Sequence, residues 1–174
     1  MSGWLPLFII LFAVALVVGP VMWLKPSTRD RRLAALRGDA AKAGLTVQMM
    51  PLPAALGEGT AAVYICRWED RRRLQTGWVL ERQRVEHEMH FAGYWDWRNG
   101  RVAPRAVWGS LRKMLSELPA DACAIIATGN GIGVQWRETS GAAGAEKLQS
   151  LLSEFRPDIE EGIRLPRRDQ STGE

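Results

Sequence analysis

The sequence predicts an α+β fold: one N-terminal transmembrane helix, a basic juxtamembrane helix, then a small, mostly antiparallel five-stranded sheet with two helices on one face. Three observations predict it. Residues 4–24 run for 21 positions without Asp, Glu, Lys, Arg or His. Basic residues gather directly behind that run. Further on, five short stretches rich in β-branched and aromatic residues alternate with two stretches of helical spacing. Their order is three strands, helix, two strands, helix, which fits an antiparallel sheet better than repeated βα crossovers.

At ~1.5 Å per residue the leading run is roughly 30 Å long as a helix, the thickness of a hydrocarbon core. Trp4 and Trp23 stand near its ends, where indole rings favour the headgroup region. No polar stripe interrupts it, as one would in a buried core helix. No basic side chain precedes it, and bulky Met22, Trp23 and Leu24 close it, so a retained anchor over 4–24 is expected rather than a cleaved signal peptide. Ala15 and Gly19 form a small-xxx-small pair that would admit a second helix. Pro20 leaves the Leu16 carbonyl without its helical donor and weakens the last turns.

Charge orients the chain. Lys25, Arg29, Arg31, Arg32, Arg37 and Lys42 follow the run, against Asp30 and Asp39, so residues 25–42 carry a net +4. The whole chain has 23 basic and 19 acidic residues, which leaves 17 of each beyond residue 42. Basic flanks stay on the cytoplasmic side, so the N-terminus is expected outside and the C-terminal part in the cytoplasm. Trp4, Trp23, Lys25, Arg29, Arg31 and Arg32 form the expected membrane-anchoring set, with membrane lipid as a partner. The balanced remainder lacks the basic excess of a duplex-binding domain, which argues against nucleic acid.

Ser27 and Asp30 read as a capping box, and a helix over 27–43 ends at Gly44 as its left-handed C′ residue. Residues 45–157 read as one α+β domain, large enough for one core. "LTVQMM" (45–50), "AAVYICRW" (61–68) and "GWVLERQR" (77–84) are strands, the last two joined as a hairpin by a polar connector. Tyr64, Cys66 and Trp68 share one face, as do Trp78 and Leu80. "AVWGSLRKMLSEL" (106–118) is a helix, with Val107, Leu111, Met114 and Leu118 at helical spacing. "ACAIIAT" and "IGVQWRE" are strands joined by "GNG", and Ala145, Leu148, Leu152 and Phe155 mark a final helix. Residues 158–174 read as a charged, disordered tail.

Candidate chemistry is sparse. "TGNGIG" (128–133) is followed by strand alternation rather than a helix, so it reads as a type I′ hairpin at Asn130-Gly131 instead of a phosphate loop. His87 and His90 are three apart, unlike the spacing of a zinc protease pair. Cys66 and Cys123 sit inside apolar strands and read as buried thiols. No metal ligand set, catalytic group or cofactor site is expected. The aromatic segment "FAGYWDWRNG" (91–100) offers Tyr94, Trp95 and Trp97 as a candidate partner contact, or as rings that fold back on the sheet.

The start of the chain, with "PVMWLKPSTRDRRLAALR" behind an apolar run, resembles small single-pass inner-membrane proteins of proteobacteria. Its layout is also loosely similar to the accessory subunit of the bacterial Sec translocon over about the first 40 residues. That subunit's glycine-rich segment is replaced here by "AKAGLTVQMMPLP", and no functional residue carries over. The resemblance implies a bacterial inner (plasma) membrane address. The expected function is a non-enzymatic single-pass protein whose cytoplasmic domain binds or scaffolds other proteins in a membrane assembly or translocation complex. The alternative is a membrane-anchored ligand sensor or enzyme with a site near residues 86–97.

Overall fold

The computed structural model describes residues 4–23, 27–86 and 88–166, and the chain divides into two compact units, 1–35 and 36–174. In the first unit, helix α1 (Leu5–Trp23) is 19 residues long. The side chains from Trp4 to Leu16 are exposed. Among the described residues no helix is long and apolar enough to cross a membrane. This corrects the transmembrane helix expected over 4–24, and with it the single-pass topology and the inner-membrane address. Lys25 lies outside the described residues.

Helix α2 (Thr28–Lys42) starts as its sequence dictates. The Asp30 amide donates to Ser27 Oγ at 3.1 Å and the Ser27 amide to Asp30 Oδ2 at 3.1 Å, the reciprocal capping box. It stops at Gly44, whose φ of 87° lets Leu45 N–H turn back to the Ala40 carbonyl at 3.0 Å.

The second unit holds a six-stranded, wholly antiparallel sheet, a correction to the five strands expected. Its strands are β1 (Thr46–Pro51), β2 (Thr60–Arg67), β3 (Val79–Arg82), β4 (Trp95–Trp97), β5 (Ala122–Ala127) and β6 (Gly131–Trp136), in the order β1-β2-β6-β5-β3-β4. The added strand β4 comes from the aromatic segment, with Trp97 opposite Leu80 and Trp95 opposite Arg82. The β2–β3 hairpin does not form: β2 pairs with β1 and β6, and β3 with β4 and β5. Residues 68–78 are therefore a crossover rather than a turn. Part of the crossover is held by Glu160, whose carboxylate accepts the Glu69 and Asp70 amides at 2.8 and 2.9 Å.

Helices α3 (Trp108–Glu117) and α4 (Gly141–Gly162) pack together, and α4 contacts the central strands β2 and β6. Between helices and sheet lie Tyr64, Trp78, Leu80, Leu111, Met114, Ile125, Ile132, Trp136, Leu148 and Leu152, all fully buried. The sequence faces named above supply most of this core. Helix α4 passes through Pro157 to Gly162, beyond the boundary drawn at 157, because Ile159 and Ile163 bury completely on the same face and Glu160 anchors the crossover. On the opposite sheet face Val63, Ile65, Ala124 and Ile126 form a smaller cluster. The β5–β6 turn is closed by Thr128, whose Oγ1 accepts the Asn130 and Gly131 amides, each at 3.2 Å. Neither Asn130 nor Gly131 has positive φ, so the type I′ geometry expected there gives way to a hydroxyl-closed turn.

Candidate functional site

Antiparallel pairing brings four stretches to one end of the sheet: the end of β3, the start of β4, the start of β5 and the end of β6. Leu56, just before β2, reaches the same end. A cleft of about 510 Å³ opens there, lined by Leu56, Arg82, Gln83, Arg84, Tyr94, Ala120, Asp121, Ala122, Cys123, Arg137 and Thr139. Three of these are arginines and one is an acid.

The acid is spent locally. Asp121 Oδ2 accepts the Thr139 amide and hydroxyl, both at 2.8 Å, and the Ser140 amide at 3.1 Å; Ser140 Oγ donates to Oδ1. These groups lie directly before α4, so Asp121 pins the turn that enters that helix from across the sheet end. Burial alone would raise the Asp121 carboxyl, but the Ser140 and Thr139 donors outweigh it and hold it below the ordinary carboxylate value. The sign for stability follows. The carboxylate contributes fully above the unfolded value of about 3.9 and is lost as pH falls through the lower folded value. Acid titration followed by circular dichroism is therefore expected to show a loss of stability beginning near about pH 4. Asp121→Asn should lower stability at neutral pH by about 1.5–3 kcal/mol, the range for hydrogen bonds to a charged group, and flatten that acid limb.

The arginines have no such partner. Arg82 donates to the Ala120 carbonyl and Arg137 to the Leu56 carbonyl, the latter at 3.0 Å, which fixes each stem while leaving other N–H groups free. Among the described residues, none of Arg82, Arg84 and Arg137 makes an ion pair. The Cys123 thiol lies in the same wall, at the irregularity where β5 slips register between Ala122 and Ala124. Burial pushes its titration up, more than the hydrogen bond and charge of Arg137 pull it down, so the thiol stays neutral.

One side of the cleft is held by a strained residue. Glu138, between Arg137 and Thr139, has φ of 58° and is 8% exposed. Its carboxylate accepts Arg37 Nε from α2 at 2.8 Å and the buried Tyr64 hydroxyl at 3.0 Å. Burial, and next the Glu138 charge, hold the Tyr64 phenol protonated well above its ordinary range. A non-glycine residue in this conformation persists only where its surroundings over-determine it. Here α2 does so, and the backbone it holds carries Arg137 on one side and Thr139 on the other.

The residues singled out from sequence are dispersed differently. Tyr94 is exposed and lines the cleft. Trp95 and Trp97 are half-buried against the main core, and Trp97 packs edge-on to Trp78 (5.9 Å) and Phe91 (4.9 Å). His90 hydrogen-bonds the Gly93 carbonyl through Nδ1 at 3.1 Å, and His87 lies outside the described residues. Cys66 lies on β2; neither it nor His90 lines the cleft, and burial raises the Cys66 thiol above its ordinary value. Among the described residues no group of three or more His, Cys, Asp or Glu could hold a metal ion. Sequence reasoning missed Arg82, Arg84 and Arg137. The available signal was "ERQR" and "WRE": arginines at strand ends, whose common address requires the strand order. No protein family, no characterised protein and no solved structure matches the chain.

Proposed function

We propose that this chain is a non-enzymatic recognition protein that binds an anionic ligand in the arginine cleft. One observation carries the reading: among the described residues, three arginines without an acidic partner line a single cleft whose one carboxylate is committed to the turn that enters α4. Unpaired guanidiniums around a concavity are the usual means of holding anions, because each offers a rigid fork of donors. Among the described residues the cleft's cysteine, Cys123, is a neutral thiol with no histidine in the lining beside it, which favours a site that holds its ligand over one that transforms it.

A protein contact through Tyr94, Trp95 and Trp97 has narrower support. Only Tyr94 exposes its ring, while changes at Trp95 and Trp97 would disturb the core. Calorimetric titration with citrate and with inorganic phosphate at low ionic strength tests the anion reading. Saturable binding is expected, weakening with added salt. Arg84→Glu should weaken it at least about tenfold, as expected for losing a charge-assisted contact of about 1.5–3 kcal/mol. Arg84 is exposed and is not used to fix the surrounding backbone, so the fold should survive. Equal binding by wild type and Arg84→Glu, or no saturation by either anion, overturns the proposal.

A further inference from the structure

We infer that the ligand of this cleft is a dianionic phosphomonoester carried on a small organic body, an inference that rests on the anion-binding reading above.

Charge comes first. Three guanidiniums against one carboxylate leave the lining formally at +2. A carboxylate or a sulfate monoester would neutralise half of that; a phosphomonoester brings roughly −1.5 to −2 at neutral pH. Shape agrees. A planar carboxylate is satisfied by a single arginine fork, whereas this cleft spreads its arginines over β3, the segment after it and the end of β6. Guanidiniums drawn from two stretches of chain can serve the three acceptor oxygens of a tetrahedral phosphate together.

Size adds the organic body. The volume, about 510 Å³, falls within the ~300–1,000 Å³ typical of small-molecule sites. Leu56, Ala120 and Ala122 supply apolar wall, and the exposed Tyr94 ring gives a flat surface beside the arginines. The neutral Cys123 thiol adds no negative charge to repel an anion.

The test compares phenyl phosphate, phenyl sulfate, inorganic phosphate and citrate on the full chain by calorimetry. Phenyl phosphate is expected to bind at least about tenfold tighter than phenyl sulfate near pH 7.5, the value of one extra charge-assisted contact. The advantage should shrink near about pH 5.5, because the phosphate loses its second charge near ~6. Among the described residues, the charged and titratable groups lining the cleft are Arg82, Arg84, Arg137, Tyr94, Asp121 and Cys123. Asp121 is held anionic and Cys123 neutral across that interval, so neither of them supplies the pH response. Arg84→Glu should abolish the phosphate preference, and Arg84→Lys should retain part of it. Equal affinity for the two phenyl esters, or citrate binding tightest, overturns the phosphomonoester while leaving an anion site standing. Inorganic phosphate binding as well as phenyl phosphate overturns the organic body. Saturation by none of the four defeats both readings together.

Discussion

Gly131→Ala is expected to destabilise the 36–174 unit by about 3 kcal/mol, at the upper end of the cost of overpacking. Gly131 opens β6, opposite Arg67 of the central strand β2. A Cβ at this position would lie 2.1 Å from the Cys66 carbonyl oxygen and 2.8 Å from its carbon. Those are backbone atoms of a paired strand, so relief requires the β2–β6 ladder to open rather than a rotamer to turn. Opening it would also disturb the Thr128 turn, since Gly131 supplies one of its amides. Gly133, two residues on, makes an instructive contrast. Its nearest contacts would be Ile65 Cγ1 at 2.8 Å and Val63 Cγ1 at 2.9 Å, with the Tyr64 carbonyl oxygen farther off at 3.1 Å, so the backbone clash is milder and Gly133→Ala should cost less. Gly109→Ala in α3, where nothing lies within 4 Å, should be neutral or slightly stabilising. Urea unfolding of the three variants checks the ranking. A Gly131→Ala midpoint equal to that of Gly109→Ala would refute the close approach of β2 and β6.

The contrast also shows what the sequence could reveal. Local rules carried far: Ser27 and Asp30 marked the start of α2, Gly44 its end, and Leu148, Leu152 and Phe155 the buried stripe of α4. Each of these is decided within about one helical turn. Strand order is not. Nothing local to "AAVYICRW" says that it pairs with β1 and β6 instead of with the next strand in the chain. The three arginines were read separately for that reason: Arg82 and Arg84 are more than 50 residues from Arg137 in the chain, and only the β3–β5–β6 pairing brings them to one end. The aromatic segment failed in another way. Its three strand residues, Trp95–Trp97, lie between Gly93 and Gly100, too short a run for alternation to mark, so the segment read as a loop or short hairpin. Helix α4 overran Pro157 because burial of Ile159 and Ile163 outweighs one missing helical hydrogen bond. At α1 an uncharged run over residues 4–24 read as a membrane span, whereas among the described residues no helix is long and apolar enough to cross a membrane.

Arg37→Ala should lower the stability of the 36–174 unit by about 3 kcal/mol, near the low end for breaking a buried ion pair by removing one partner. Glu138 is the reason. Its side chain is 4% exposed, whereas that of Arg37 is 32% exposed, so the cation can be replaced by water more easily than the carboxylate can reach it. Without Arg37 the carboxylate keeps only the Tyr64 hydroxyl at 3.0 Å, and it sits on a backbone already strained at φ 58°. Glu138→Gln should be milder, about 1–2 kcal/mol, because the amide oxygen still accepts from Tyr64 and no charge is stranded. On that background Arg37→Ala should cost under about 1 kcal/mol, so the cycle yields a coupling of about 2 kcal/mol. The same variants carry a second readout. Glu138 lies between Arg137 and Thr139 of the cleft, so Arg37→Ala should also weaken phosphate binding about severalfold while leaving Arg82 and Arg84 untouched. Equal costs for Arg37→Ala in the two backgrounds would mean that α2 merely covers apolar surface there. A stability loss with undiminished phosphate binding would separate the ion pair from the cleft and leave Glu138 a purely structural clamp.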